Sequence, residues 1–110
     1  MYKILTLNEI SEKGLTRLPD DFKYGKDIEN PDGILVRSQK MHDMDLPDTV
    51  LAIARAGAGV NNIPVDKYTE KGVVVFNTPG ANANAVKELT LAGLLMASRK
   101  ICLLYTSRCV

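Results

Sequence analysis

The chain predicts an open α/β domain, a parallel sheet with flanking helices, and two observations lead there. Short β-rich apolar runs alternate with stretches of helical spacing, the pattern of strands joined by crossover connections. Two of these runs, Ile53-Ala54-Arg55 and Val73-Val74-Val75-Phe76, end in residues unsuited to a core. The first leads into Ala56-Gly57-Ala58-Gly59-Val60-Asn61-Asn62 and the second into Asn77-Thr78-Pro79-Gly80. Both loops should leave the carboxyl ends of neighbouring parallel strands, the edge at which open α/β sheets bind ligands.

Taken in order, residues 4–7 read as the first strand. Asn8 is placed to cap a helix over 9–15, in which Ile10, Gly14, Leu15 and Leu18 share one face and which Pro19 stops. A weaker strand is expected at 22–24, and Pro31-Asp32-Gly33 turns the chain into a third at 34–37. Pro47 interrupts 42–51, so that connection holds only a short or irregular helix. Strands follow at 51–55 and 73–76, separated by a short helix at 65–71 that Gly72 closes. From 84 to 100, Val86, Leu89, Leu91, Ala92, Leu94, Leu95, Met96 and Ala97 cover almost every side of a helix, a pattern that expects burial all round. One side should lie on the sheet, and the other requires a partner that the chain does not contain.

Composition narrows the function classes. The 110 residues amount to about one domain, and 45% hydrophobic with 25% charged residues is ordinary for a globular protein rather than a disordered one. Fourteen basic and thirteen acidic residues, with no long basic run, leave no electrostatic case for nucleic acid or membrane binding. Strand-like residues begin almost at Met1, leaving no room for a signal peptide, and no apolar run reaches the ~20 residues of a membrane span. The expectation is a cytoplasmic protein whose partners are small molecules or copies of itself.

Gly57-x-Gly59 after a strand looks like part of a dinucleotide fingerprint, but Asn62 stands where the third glycine belongs. Asn77 likewise ends the next strand where an acid would hold the ribose. What remains is exposed peptide N–H groups, suited to a carboxylate that needs fixed donors; a tight turn requiring positive φ is the alternative. Arg37 and Arg55 each close an apolar strand, so both should project from the ligand edge, where a planar guanidinium fork suits phosphate. A carboxylate partner within the fold is the alternative for both, and Lys40 is a weaker third candidate. Asn82 carries an amide able to donate and accept, whereas Asn84 is expected to cap the last helix. The single histidine, His42, lies in a polar segment away from both loops and is read as a surface residue, not an acid or base.

The segments 55–66, 71–80 and Val86-Lys87-Glu88-Leu89, with Ile34-Leu35-Val36-Arg37-Ser38, resemble the amino-terminal part of the D-2-hydroxyacid dehydrogenases, within them the branch that oxidises 3-phosphoglycerate. The resemblance covers nearly all of 1–101. It implies a flavodoxin-like sheet that is part of the substrate domain of a two-domain, NAD-dependent dehydrogenase, which in complete form is a homo-oligomer. It implies substrate contacts at Arg37, Ser38, Arg55, Ala58, Gly59 and Asn82, with Val86 on the nicotinamide side. The family's catalytic Arg, Glu and His and its nucleotide fingerprint come later in the chain, so no catalytic residue is expected here and NAD would be held mainly by an absent domain. A reductase of glyoxylate, hydroxypyruvate or another 2-keto acid is the alternative within the family. A non-catalytic dinucleotide-sensing or small-ligand module is the alternative outside it.

The organisation expected is therefore 1–83 as the first part of the substrate domain, 84–101 as an interdomain helix, and 102–110 as a foreign tail. The resemblance stops at 101. Back-translated as TGT CTC TTA TAC ACA TCT AGA TGT GTA, the tail resembles two transposase adapter ends joined head to head, a cloning or sequencing scar. It holds both cysteines, Cys102 and Cys109, and no histidine or further cysteine completes a metal-ligand set, so no metal is expected.

Overall fold

A computed structural model describes residues 1–101; the tail expectation for 102–110 lies outside the described residues. The chain divides into two units, Met1–Pro79 and Gly80–Val110. In the first, five short strands, β1 (Tyr2–Thr6), β2 (Phe22–Gly25), β3 (Gly33–Val36), β4 (Ala52–Arg55) and β5 (Val74–Phe76), form one sheet in the order β2-β1-β3-β4-β5. Every neighbouring pair is parallel. This is the flavodoxin-like order, and each strand lies within two residues of its sequence expectation.

Register explains the core. Leu5 pairs with Ile34, Ile34 with Ile53, and Ile53 with Val75, so one row of apolar side chains crosses the sheet on one face. The two-residue period of a strand adds Val36 to that face. Helix α2 (Val65–Glu70) closes it with Tyr68, completely buried, whose hydroxyl donates to the Met41 carbonyl at 3.1 Å. Met41, Leu46, Val50, Ile63 and Val73, all from connections, complete the cluster. On the other face, helix α1 (Glu12–Leu15) brings Leu15 into a cleft with Thr6 and Tyr24.

Some local expectations are corrected. Asn8 is not a helix cap: α1 starts after Ser11 and ends at Leu15, well before Pro19. The Asn8 side-chain oxygen is taken instead by the loop that follows β3. The 42–51 connection holds only turns, and Met41, Leu46 and Val50 anchor it without a helix. Gly72 closes α2 as expected, at φ +78°, its N–H donating to the Thr69 carbonyl at 3.0 Å.

The second unit contains helix α3 (Ala83–Ser98). Asn82, not Asn84, occupies its N-cap position, and the Asn84 amide donates to Glu88 Oε1 at 3.2 Å, one turn along the helix. No residue of α3 is buried, contrary to the burial its apolar pattern expects. Its unit offers no second described helix or strand for these side chains to pack against.

Candidate functional site at the carboxyl edge of the sheet

Parallel pairing sends the loops after β3, β4 and β5 out of the same sheet edge, and side chains from each loop hold the next. Arg55, the last residue of β4, donates from Nε to the Arg37 carbonyl at 2.8 Å and from Nη1 to the Gly59 carbonyl. From the loop after β5, Asn77 Nδ2 reaches the Ala58 carbonyl at 2.8 Å. Thr78 uses its N–H on the Gly57 carbonyl at 3.0 Å and its hydroxyl on the Arg55 and Gly57 carbonyls at 3.2 and 3.3 Å. The 57–62 and 77–79 loops therefore do share one edge, as the sequence predicts.

Asn62 shows why the third glycine of a nucleotide fingerprint is absent. Its Nδ2 donates to the Gln39 carbonyl at 2.8 Å and its own carbonyl accepts the Met41 N–H at 2.8 Å, tying the β4 loop to the β3 loop. A glycine could supply only the second bond. Asn62 Oδ1 is buried and has no partner among the described residues. The expectation that His42 lies away from the glycine loop is corrected: it is exposed, but its Nε2 lies 2.8 Å from the Asn61 carbonyl. A carbonyl only accepts, so Nε2 carries the proton.

Carbonyls of 57, 58, 59, 61 and 62 thus all have donors. Among the described residues, the N–H groups of Gly57, Ala58, Gly59 and Val60 have no acceptor. The loop satisfies its acceptors internally and leaves a row of donors at the surface, a polarity that attracts an anion. The glycines let Arg55 pack closely on its own loop: a Cβ on Gly57 would lie 3.3 Å from Arg55 Nε and one on Gly59 3.2 Å from Arg55 Nη1, so the guanidinium would have to shift by a few tenths of an ångström.

Sequence reasoning expected Arg37 and Arg55 to project for a ligand. Arg37 is exposed and its side chain makes no hydrogen bond among the described residues, whereas the Arg55 guanidinium folds back over its own loop. Neither has a carboxylate partner among the described residues, where the ion pair present is Lys26 with Glu9 at 2.6 Å. Each partner stabilises the other's charge: Lys26 holds the Glu9 carboxyl below its ordinary range, and Glu9 raises the Lys26 ammonium. Ser38, Ala58 and Gly59 lie exposed at the same sheet edge; Asn82 and Val86 belong to the second unit, where the Val86 N–H donates to the Asn82 carbonyl at 3.0 Å. Sequence reasoning missed Asn8, Asn62, Asn77 and Thr78 as loop braces, and the signal available was their clustering at strand ends.

A cavity of about 130 Å³ lies under this edge, lined by Ile10, Leu35, Ala54, Arg55, Ala56 and Thr78. That is below the several hundred Å³ of a complete small-molecule site. The described residues do not fit a dinucleotide's pyrophosphate: α2 begins only at Val65, beyond the glycine loop, and Asn62 braces a neighbouring loop instead of opening a phosphate cradle. No group of three His, Cys, Asp or Glu able to hold a metal occurs among the described residues, and none of their helices is long and apolar enough to cross a membrane.

Comparison with known proteins decides the lineage. The family model for the D-isomer specific 2-hydroxyacid dehydrogenase catalytic domain matches residues 6–108. The chain belongs to this 2-hydroxyacid dehydrogenase family. The match runs past residue 101, where the resemblance was expected to stop. Among its dehydrogenase relatives, D-3-phosphoglycerate dehydrogenase of Methanocaldococcus jannaschii is 40% identical over 77 residues, 67% of this chain and 15% of that protein. The enzyme of the same name from Archaeoglobus fulgidus is 37% identical, covering 90% of this chain and 22% of its own length. Hydroxypyruvate reductase of Thermotoga maritima is 42% identical, covering 69% of this chain and 26% of its own length. The chain thus spans about a quarter or less of each of these relatives.

Proposed function

We propose that this chain supplies the first part of the substrate domain of an NAD-dependent dehydrogenase that oxidises 3-phosphoglycerate to 3-phosphohydroxypyruvate, the opening step of serine synthesis. The observation that carries this reading is the glycine loop, whose carbonyls are all tethered while the N–H groups of 57–60 have no acceptor among the described residues. Ala58 and Gly59 hold the substrate carboxylate there, and fixed donors keep the adjoining carbinol carbon aimed for hydride loss. Arg37, with Ser38 beside it, meets the phosphate, and Arg55 contributes the N–H groups that its two carbonyl contacts leave over. Asn82 and Val86 are assigned to the substrate and the nicotinamide side by the family resemblance alone. Residues 1–83 form the substrate-domain part and 84–101 lead toward a nucleotide-binding domain that holds the NAD; the adapter-like back-translation of 102–110 supports a foreign tail there, against a family match that extends to residue 108. The catalytic acid-base groups belong to other parts of the enzyme, which acts as a homo-oligomer in the cytoplasm.

A reductase of unphosphorylated 2-keto acids is the second reading. The similarity to the Thermotoga maritima hydroxypyruvate reductase favours it, as does the commitment of Arg55 to its own loop. Arg37→Ala in the intact enzyme separates the two, because the Arg37 side chain braces nothing among the described residues. The kcat/KM for 3-phosphoglycerate should fall by about one to two powers of ten, the worth of a charge-assisted contact, with no loss for unphosphorylated glycerate. An unchanged value for 3-phosphoglycerate would favour the unphosphorylated acid.

A further inference from the structure

Strand order reverses between β1 and β3: the chain leaves β1 toward β2 and leaves β3 toward β4, on opposite sides. In open α/β sheets the crevice at such a point is where a ligand usually binds. Here one side-chain atom occupies its mouth. Asn8 Oδ1 accepts the N–H groups of Arg37, Ser38 and Gln39 at 2.8, 2.9 and 2.9 Å. Three successive peptide N–H groups converging on one oxygen form the kind of nest that holds anions. The amide nitrogen of Asn8 could not take that place, since it would face three donors with a fourth.

We propose that Asn8 is a positioning residue, its Oδ1 standing in for an anion in the nest of Arg37, Ser38 and Gln39 and thereby setting the loop that presents Arg37 and Ser38. The clamp is continuous with the glycine loop. The Arg37 carbonyl, next along the chain from a clamped N–H, receives Arg55 Nε, and Arg55 Nη1 holds the Gly59 carbonyl. The Gln39 carbonyl likewise receives Asn62 Nδ2. Asn8 thus reaches the donor row of 57–60 without touching it, and filling the nest from within directs an incoming anion to that row. Only this last link rests on the proposed function.

The test is made by NMR on the whole chain with the exposed Leu89, Leu94 and Leu95 of α3 replaced by glutamine to keep it dispersed, reading the amides of Arg37, Ser38 and Gln39. Asn8→Asp keeps the acceptor and adds charge, so the introduced carboxyl should titrate well below the ordinary ~3.9 of an aspartate while the three amide protons move downfield. Asn8→Gly empties the nest, and exchange of the three amides should quicken about tenfold, the worth of a lost hydrogen bond. Added inorganic phosphate should then slow them again, a response that a merely space-filling Asn8 would not produce. An introduced carboxyl with an ordinary pKa, or amides indifferent to both Asn8→Gly and phosphate, would overturn the proposal. Should Asn8→Gly fail to fold, the Asn8→Asp titration alone decides. These readouts involve no substrate, so a wrong substrate assignment leaves them unaffected.

Discussion

Arg55 and Gly59 close a five-residue ring: the guanidinium at the end of β4 bends over the loop it introduces and donates to the Gly59 carbonyl while its Nε holds Arg37. The charge serves as a fork joining two loops before it serves any ligand. Arg55→Ala should therefore lower stability by about 1 kcal/mol, below the range of about 1.5–3 kcal/mol for charge-assisted bonds because the side chain is half-exposed and screened by solvent. Arg55→Lys should recover little of it, since an ammonium lacks the planar fork that spans both carbonyls. Urea denaturation checks this, and full recovery by lysine would mean that charge alone matters.

Gly59→Ala would set a Cβ 3.2 Å from Arg55 Nη1 and 3.5 Å from Asn61 Oδ1. The guanidinium is a flexible chain end, so it can give way, at the cost of its Gly59 contact. We expect a loss below about 1 kcal/mol in the parent chain and a smaller one in an Arg55→Ala background, as coupled neighbours behave. Equal losses in both backgrounds would show that the glycine is needed for its backbone alone.

Tyr68 gives the stability a dependence on high pH. Burial raises its hydroxyl pKa above the ordinary 10.0, because the phenolate would lose its hydration. The folded state therefore holds this proton more tightly than the unfolded state. Its contribution is full below pH about 10 and is lost as pH rises through the folded value. Tyr68→Phe should cost about 1 kcal/mol at neutral pH through the lost bond to the Met41 carbonyl, and should flatten the alkaline decline relative to the parent. Parallel declines in denaturation series at pH 8 and 11 would contradict this.

Helix α3 leaves Leu89, Leu94 and Leu95 at 75, 62 and 67% exposure. Exposed apolar surface of that extent drives association. The purified chain should sediment as oligomers or aggregates, and replacing these three leucines by glutamine should return it toward a monomer. A monomeric parent chain would show that the helix is covered in solution.

Gly72 and Gly14 should respond oppositely to alanine. A Cβ added at either would meet no atom within 4 Å, so backbone conformation decides. At φ +78°, Gly72→Ala should cost roughly 1–2 kcal/mol, the left-handed penalty, while Gly14→Ala within α1 should gain up to ~1 kcal/mol of helix propensity. Thermal midpoints of the two variants check the signs.

The sequence by itself determined the strands, the closure of α2 at Gly72, and the edge at which the glycine and Asn-Thr-Pro-Gly loops emerge. These follow from local preference: β-rich runs bounded by glycine, proline and asparagine have few other solutions. Tertiary structure alone decided what the polar side chains at those strand ends do. Asn8, a plausible cap by its position, became the acceptor for three N–H groups about thirty residues away. Arg55, a free phosphate ligand by its position, became a brace, and His42 was drawn to Asn61. A hydrogen bond needs its partner within about 3 Å, and only the pairing of β3 with β1 and β4 brings these loops that close. Local spacing carries no record of that proximity.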